Sequence, residues 1–595
     1  MRDDLNPLVQ TSPLAGSLVE ETVSGTTTGR LGPENGVDVV EGVDRSMLVY
    51  VPRSGCPHAK QTQVLMVLRD DAGPESAQRL LGTLGLAKLA EERHFIVVFP
   101  DPLEGGWHYA PGRDRENDTA FLVRCFAALP SSSVHVAGFN GMIFHLATSP
   151  ASSALVMSLA VTSPLDAAAV MVGALPQDFD IPEGYGAGQV AWLYEHDERV
   201  REYLAETNGC GVADEPVSGV IRHASLGTPC LCHFVSGRGL SRTEVADAWE
   251  FMFSETRRWR NDIYGTYQPR IPFRDRGFVA HVSDASLPLP DGLPRTWYEF
   301  VPEDLAPEPA PLVIYLHGIN CVGLYGAEQS GWSDIAAREG MMCVFPDATI
   351  ENRWNVWDDP RLPLDMDYVL ALIDHMDAVH PVDRSRVYLS GFSMGSMFSN
   401  ALAASHPDVF AGVVAMNGPH LGYLETLDQS APSMLAIGQK KAISSIEHSD
   451  APLSPTHVEA DAAREAHDVR MPFVQFVGNL DGVGMGSGHA WPLTGVDDGM
   501  WPDTIAYWLC FDNVSDALRR DASTASGLAA DECEYIPDRF SHQSWRSSDA
   551  GCPEYYHLFV VERMPHAVDL REVELGWEIV RHWARNADGT LRRID

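Results

Sequence analysis

The sequence predicts two tandem α/β domains, each a mostly parallel sheet flanked by helices. Three observations carry this expectation. The same landmarks run through the chain twice in the same order. Short, near-continuous apolar runs alternate with helical patterns in both halves, as buried parallel strands and their crossover helices require. The 595 residues, 45% of them hydrophobic, suit two large domains of this class, each with its own core.

Four landmarks define the repeat. LVYVP (48–52) matches YEFVP (298–302), and GLAKLAEERHFIVVFPD (85–101) matches GWSDIAAREGMMCVFPD (331–347) without a gap. VHVAGFN (134–140) matches VYLSGFS (387–393), and RGLSRTEVADAW (238–249) matches HAVDLREVELGW (566–577). One chance match is plausible; four in order are not.

The elements follow in sequence. Residues 1–40, rich in Gly, Ser, Thr and acid, read as a loose lead-in to a domain over 41–260. There QVLMVL, FIVVF, VHVAG, AAAVMV and CHFV read as strands, and EVADAWEFMFSETRRW as a closing helix. A Pro- and Gly-punctuated linker is expected over 261–290. The second domain, 291–595, offers PLVIYLHG, MMCVF, RVYLSG, FAGVVAMNG and PFVQFVG as strands. Stretches near 420–468 and 512–555 depart from the alternation. Loops beyond the carboxyl ends of parallel strands build ligand sites, so both are read as lid-like insertions.

A net charge of −39 argues against nucleic acid and anionic membrane as partners, since both need a basic footprint. No apolar stretch reaches the 18 or so residues of a membrane span, and the N-terminal MRDD lacks the basic region of a signal peptide. The expectation is a cytoplasmic protein. Its ten cysteines include no CxxC pair, so no zinc site of that type is expected, nor any other metal or cofactor. Cys230 and Cys232 fall on one face of a strand, and Cys533 and Cys552 pair only in an oxidising compartment.

The chemistry lies in the second half. Gly391-Phe392-Ser393-Met394-Gly395 sits between a β-rich run and a helical one. Small flanking residues let the chain turn so sharply that a serine hydroxyl stands clear of the sheet as a nucleophile. An oxyanion hole would come from the backbone N–H of Met394 and one just past Gly318, that of Ile319 or Asn320; His317 is read as structural. With chain order nucleophile, acid, histidine, His566 is the base. It follows the strand LFVV and occupies a repeat landmark, which favours it over His489 in GSGHAWP. Asp481, in GNLDG just after a strand, is the acid, with Asp497, Asp498 and Asp503 as rivals. Trp354, Trp357 and Trp491 stand near these motifs as candidate pocket walls or as packing.

These residues carry a resemblance. LHGIN (316–320), SGWSDIAAREGMMCVFPDA (330–348), NRWNVW (352–357), PVDRSRVYLSGFSMGSM (381–397) and HPDVFAGVVAMNG (406–418) are similar to the poly(3-hydroxybutyrate) depolymerase and feruloyl or acetyl-xylan esterase group of α/β-hydrolases. The resemblance implies an ester hydrolase that forms an acyl-serine intermediate and needs no cofactor. Its histidine often sits in a GGGHTWP-like string; here the nearest such string surrounds His489. A small soluble ester, aryl or hydroxycinnamoyl, is the expected substrate.

By the repeat, Asn140 stands for Ser393, Arg238 for His566, and Leu68-Arg69-Asp70 for Leu316-His317-Gly318. Neither an asparagine amide nor an arginine serves as this nucleophile or base. The first copy is therefore expected to be catalytically degenerate. It would buttress the second domain, form a homo-oligomer surface or narrow the substrate entrance. A serine peptidase of the same fold, and an inert scaffold, are the competing readings.

Overall fold

The computed structural model describes residues 5, 10–23, 29–31, 37–39, 44–109, 118–163, 166–182, 188–226, 231–258, 267–282, 287, 289–350, 352–356, 358, 362–420, 469–481, 491–493, 501–514, 519–537 and 539–594. The chain divides into two compact units, residues 6–271 and residues 272–595, the latter with the first five residues.

The first unit is built on a ten-stranded sheet: β1 (Leu18–Val23), β2 (Arg45–Tyr50), β3 (Val64–Leu68), β4 (Ile96–Pro100), β5 (Ile143–Ala147), β6 (Ala169–Val172), β7 (Val190–Leu193), β8 (Cys210–Val217), β9 (Val220–Ser225) and β10 (Cys232–Val235). Its order is β1-β2-β4-β3-β5-β6-β7-β10-β9-β8. The second unit uses β11 (Phe278–Val282), β12 (Thr296–Phe300), β13 (Ala310–Leu316), β14 (Met342–Pro346), β15 (Val382–Phe392), β16 (Gly412–Met416), β17 (Phe473–Gly478), β18 (Glu532–Ile536), β19 (Phe540–Arg546) and β20 (Glu554–Val561). Its order is β11-β12-β14-β13-β15-β16-β17-β20-β19-β18, the same path strand for strand. In both sheets six central strands run parallel, and antiparallel strands finish both edges. Central strands such as β3, β4, β13 and β14 are buried along their whole length, which is why they read as continuous apolar runs.

In the first unit the helices are α1 (Pro74–Thr83), α2 (Leu86–Arg93), α3 (Thr119–Ala128), α4 (Pro150–Thr162), α5 (Glu198–Asn208) and α6 (Arg242–Ala248). In the second they are α7 (Gly323–Ser330), α8 (Trp332–Glu339), α9 (Asp365–Val379), α10 (Met394–Ser405), α11 (Trp501–Phe511) and α12 (Leu570–Val580). Their starts are chemically marked. Ser149 caps α4, Ser241 caps α6 and Asp569 caps α12, each accepting a first-turn backbone N–H. Among the described residues no helix is long and apolar enough to cross a membrane.

Several expectations are corrected. The lead-in 1–40 and the linker 261–290 contain β1 and β11, the edge strands of the two sheets. Edge strands bury only one side, so they lack a continuous apolar run. Within the stretch 512–555, β18 and β19 form a hairpin that extends the sheet, as β8 and β9 do in the first unit. Of 420–468, all but His420 lies outside the described residues. VHVAG (134–138) is not a strand, because His135 turns through a positive φ of 50° and breaks the extended run. The strand in that place is β5, IFHLA, with His145 fully buried in its middle.

Candidate active site

The site stands at the carboxyl ends of β13, β15, β17 and β20. Ser393 follows β15 directly and caps α10 with φ 56° and ψ −120°, a conformation L-residues rarely hold. Its glycines explain how the turn closes. A Cβ on Gly391 would lie 2.4 Å from the Gly395 carbonyl oxygen, and one on Gly395 would lie 1.9 Å from that of Leu316. Strand, turn and helix approach so closely that neither position admits a side chain. The Ser393 N–H is held by the Met416 carbonyl at 2.9 Å, so β16 fixes the elbow from one side.

His566 arrives from the loop after β20. Its Nε2 lies 2.8 Å from Ser393 Oγ, and its Nδ1 lies 2.8 Å from Asp481 Oδ2. Asp481 ends the turn after β17, where its N–H donates to Gly478 O. These are hydrogen-bond distances on both sides of the ring, as nucleophile–base and base–acid contacts require. The His566 and Asp481 side chains are only 16% and 12% exposed, which keeps water from competing for these bonds. The imidazole also lies against the Phe392 ring, 4.7 Å between centroids.

The loop that presents Ile319 lies beside the serine. A Cβ on Gly318 would stand 3.3 Å from Ser393 Cβ. Asn320 donates its N–H to Asn352 O at 2.9 Å. Met394 is the first residue of α10, where backbone N–H groups have no acceptor within the helix. His317 is a brace. Its Nε2 accepts from the Ala348 N–H at 3.0 Å, and its Nδ1 stands 2.7 Å from Gly318 O. Trp354 is not a pocket wall: it is 2% exposed, stacks on Phe398 and donates its indole N–H to His317 O at 2.8 Å. Its bulk serves the core under the Ile319 loop. Trp491 is likewise buried, beside Trp501. Trp357 and His489, with Asp497 and Asp498, lie outside the described residues, as does the side chain of Asp503.

Sequence reasoning missed Asn417. This residue follows β16, is 3% exposed and holds φ 53°. Its Oδ1 accepts from the Gly478 N–H at 2.8 Å, and its Nδ2 donates to Ala567 O at 2.8 Å. One side chain thus ties the loop bearing Asp481 to the loop bearing His566. A second tie runs alongside, from the Leu480 N–H to Met564 O and from the Arg563 N–H to Asn479 Oδ1. Its only sequence signal is MNG after a strand, which does not specify a partner.

The sheet register revises the correspondence between the units. Leu316 pairs with Gly391 across β13 and β15; Leu68 pairs with Ala147 across β3 and β5. Two residues past Ala147 is Ser149, so Ser149, and not Asn140, occupies the position of Ser393. Asn140 sits in a short turn before β5. The pentapeptide GFSMG is ATSPA (147–151) in the first unit. Ser149 is extended, with φ −149° and ψ 167°, and its Oγ donates to Asp70 Oδ1 at 2.7 Å. Arg238, in the place of His566, is bound by Glu244 and Asp247, each at 2.7 Å. Arg69, in the place of His317, pairs with Asp101.

Comparison with known proteins agrees with this architecture. The α/β-hydrolase fold family matches residues 356–479, which include Ser393. Poly(3-hydroxyalkanoate) depolymerase C of Paucimonas lemoignei is 35% identical over 129 residues, covering 20% of this chain and 30% of that protein. Feruloyl esterase B of Neurospora crassa is 33% identical over 128 residues, covering 20% and 43%. Acetylxylan esterase A of Emericella nidulans is 30% identical over 162 residues, covering 26% and 52%. The chain thus spans about half or less of the length of these relatives. Among solved structures, an acetyl xylan esterase from Aspergillus awamori aligns with TM-score 0.35 and 15% identity over 51% of this chain and 99% of its own. The chain carries the α/β-hydrolase fold in two tandem copies, and its second half resembles the poly(3-hydroxyalkanoate) depolymerase, acetylxylan esterase and feruloyl esterase group of that fold.

Proposed function

We propose that the second unit is a serine carboxylic ester hydrolase acting on a small soluble ester of the aryl or hydroxycinnamoyl class. One observation carries the reading: Ser393, His566 and Asp481 form a continuous hydrogen-bonded chain at 2.8 Å per link. Ser393 Oγ attacks the ester carbonyl as His566 Nε2 takes its proton. The backbone N–H groups of Met394 and Ile319 receive the oxyanion. Collapse of the tetrahedral intermediate transfers the proton from Nε2 to the departing alcohol and leaves an acyl-serine. Water then repeats the sequence and releases the acid. Asp481 holds the proton on Nδ1 and stabilises the imidazolium at each half-reaction.

We infer that the first unit does not catalyse this reaction. Pro150, in the place of Met394, has no N–H to give an oxyanion. Ala147 and Ala151 replace the two glycines of the elbow, and Arg238 replaces the base.

The test is hydrolysis of p-nitrophenyl acetate, p-nitrophenyl butyrate and methyl ferulate by wild type, Ser393→Ala and His566→Ala. Turnover in wild type and its loss in both variants supports the proposal. Turnover of peptide substrates without ester turnover would favour the peptidase. No labelling of wild type by a fluorophosphonate probe would favour an inert scaffold.

A further inference from the structure

At the opposite edge of the second sheet from β18, three histidines converge on one buried carboxylate. His281 lies on β11 and Glu299 on β12, the first two strands in the sheet order. His375 lies on α9, and His380 caps the end of that helix. Glu299 Oε1 is 3.1 Å from His281 Nε2 and 3.2 Å from His375 Nε2; Oε2 is 3.4 Å from His380 Nε2. The nucleophile strand β15 is fifth in the order, so this cluster takes no part in the ester chemistry.

Hydrogen bonding alone accounts poorly for the arrangement. Glu299 Oε1 already accepts the Trp297 indole N–H at 2.9 Å. A carboxylate oxygen has about two lone-pair sites, so one remains for two imidazoles at equal range. His375 Nε2 is buried and makes no hydrogen bond of standard geometry, despite its 3.2 Å approach. The candidate donor atoms of His281, Glu299 and His375 all lie within 4.8 Å of one another. Bonds of ~2.0–2.1 Å to a tetrahedral zinc ion place neighbouring ligand atoms ~3.3 Å apart. The two imidazole–carboxylate separations, 3.1 and 3.2 Å, fall just under that edge length.

The rings are also held in place. Trp297 is fully buried, stacks on His281 at 4.7 Å and 2°, and meets His375 edge-on at 5.3 Å. Its N–H fixes Oε1 from outside the cluster, the role of a partner that orients a ligand. Two neutral imidazoles and a carboxylate are a donor set suited to zinc or cobalt, and their single negative charge favours a divalent cation.

We propose that His281, Glu299 and His375 form a divalent transition-metal site of the zinc class that clamps α9 to the β11–β12 edge, separate from the esterase centre. His380 holds the second carboxylate oxygen, and water completes the tetrahedron. Such a site joins an edge strand to a helix, so the bound ion stabilises the fold.

The experiment uses the untagged 595-residue chain, stripped with EDTA, reloaded with zinc or cobalt chloride and passed through gel filtration. Wild type is expected to retain about one equivalent of zinc. Its cobalt form is expected to show the intense visible bands of a tetrahedral site, and zinc is expected to raise its thermal midpoint. His375→Ala and Glu299→Gln should each lose the retained equivalent, the bands and the midpoint shift, yet still hydrolyse p-nitrophenyl acetate, which reports that the unit is folded. Should these variants fail to fold, the wild-type cobalt spectrum and the His281→Asn variant decide. Wild type that retains no metal, or folded variants that retain as much as wild type, would overturn the proposal.

Discussion

Ser149 Oγ donates a 2.7 Å hydrogen bond to Asp70, at the sheet position where Ser393 Oγ meets His566 Nε2 at 2.8 Å. The two serines differ in what surrounds them. Ser393 is forced to a positive φ by glycines that let helix, strand and loop close on it. Ser149 has alanines in those places and relaxes to an extended helix cap that also accepts the Ser152 N–H. Asp70 occupies the position of Gly318, which approaches Ser393 in the second unit, so a carboxylate stands there in place of a glycine. The first unit has alanines for the two glycines, Pro150 at the position of Met394 and Arg238 at the position of His566.

This contrast gives the first prediction. Ser393→Ala should lower kcat for p-nitrophenyl acetate by roughly 10,000-fold or more, the scale for removing a triad nucleophile. Ser149→Ala should change it less than twofold. A fluorophosphonate probe should label wild type and Ser149→Ala once per chain and Ser393→Ala not at all. Labelling that survives Ser393→Ala would place a second reactive serine in the chain and defeat the assignment.

Asn417 should act through position. Removing its amide frees the Gly478 N–H and Ala567 O, and with them the loops that carry Asp481 and His566. Misplacement of reacting groups by an ångström costs on the order of 100-fold. Asn417→Ala is therefore expected to lower kcat about 10- to 100-fold with little change in KM, since no substrate contact is removed. A rise in KM at constant kcat would show instead that Asn417 touches substrate.

The placement of Ser393, Asp481 and His566 was legible in the sequence because each follows a buried strand, and a parallel sheet brings strand ends together. The degenerate copy was harder to register. GFN differs from GFS by a single letter, while ATSPA keeps the serine but none of the glycines that make the motif visible. Only the pairing of Leu68 with Ala147 identifies the right strand. His145 within β5 also hid that strand, since a buried histidine interrupts an apolar run. Asn417 left no signal because its role is bonds to two distant loops. His281, Glu299 and His375 share no motif spacing, since two strands and a helix deliver them. The hairpin β18–β19 read as an insertion because its residues are polar on an exposed edge.

The elbow glycines set a stability prediction. A Cβ at Gly395 meets the Leu316 carbonyl carbon at 2.5 Å as well as its oxygen, and both belong to a central strand that cannot move alone. Gly395→Ala should destabilise the second unit by about 3 kcal/mol, the upper end of the usual cost of overpacking a core. Its expected readouts are a lower midpoint for the unfolding transition of that unit and reduced ester turnover. Ala151→Gly, at the equivalent place in the first unit, should cost at most about 1 kcal/mol. Equal midpoints for Gly395→Ala and wild type would show that α10 shifts to admit the methyl group.

The last prediction concerns Asp347, the acid at the end of β14 that accepts the Gly323 N–H at 2.5 Å. Burial of the carboxyl pushes its pKa up to about 7, against the pull of that hydrogen bond, although part of the residue reaches the surface. The folded form therefore keeps a proton that the unfolded chain releases near pH 4. Between pH 4 and 7 the unfolded state binds fewer protons, so this group makes the protein less stable as pH rises. Its cost is absent below pH 4, grows to pH 7 and is constant above. Asn at this position keeps an acceptor for Gly323 and cannot ionise. Asp347→Asn is expected to match wild type near pH 4.5 and to exceed it at pH 8 by about 1–2 kcal/mol, once partial exposure is counted. Urea unfolding of both proteins at the two pH values measures the difference, and common changes in other groups cancel. A gap that does not widen with pH would mean that Asp347 is ionised in the folded protein throughout the range.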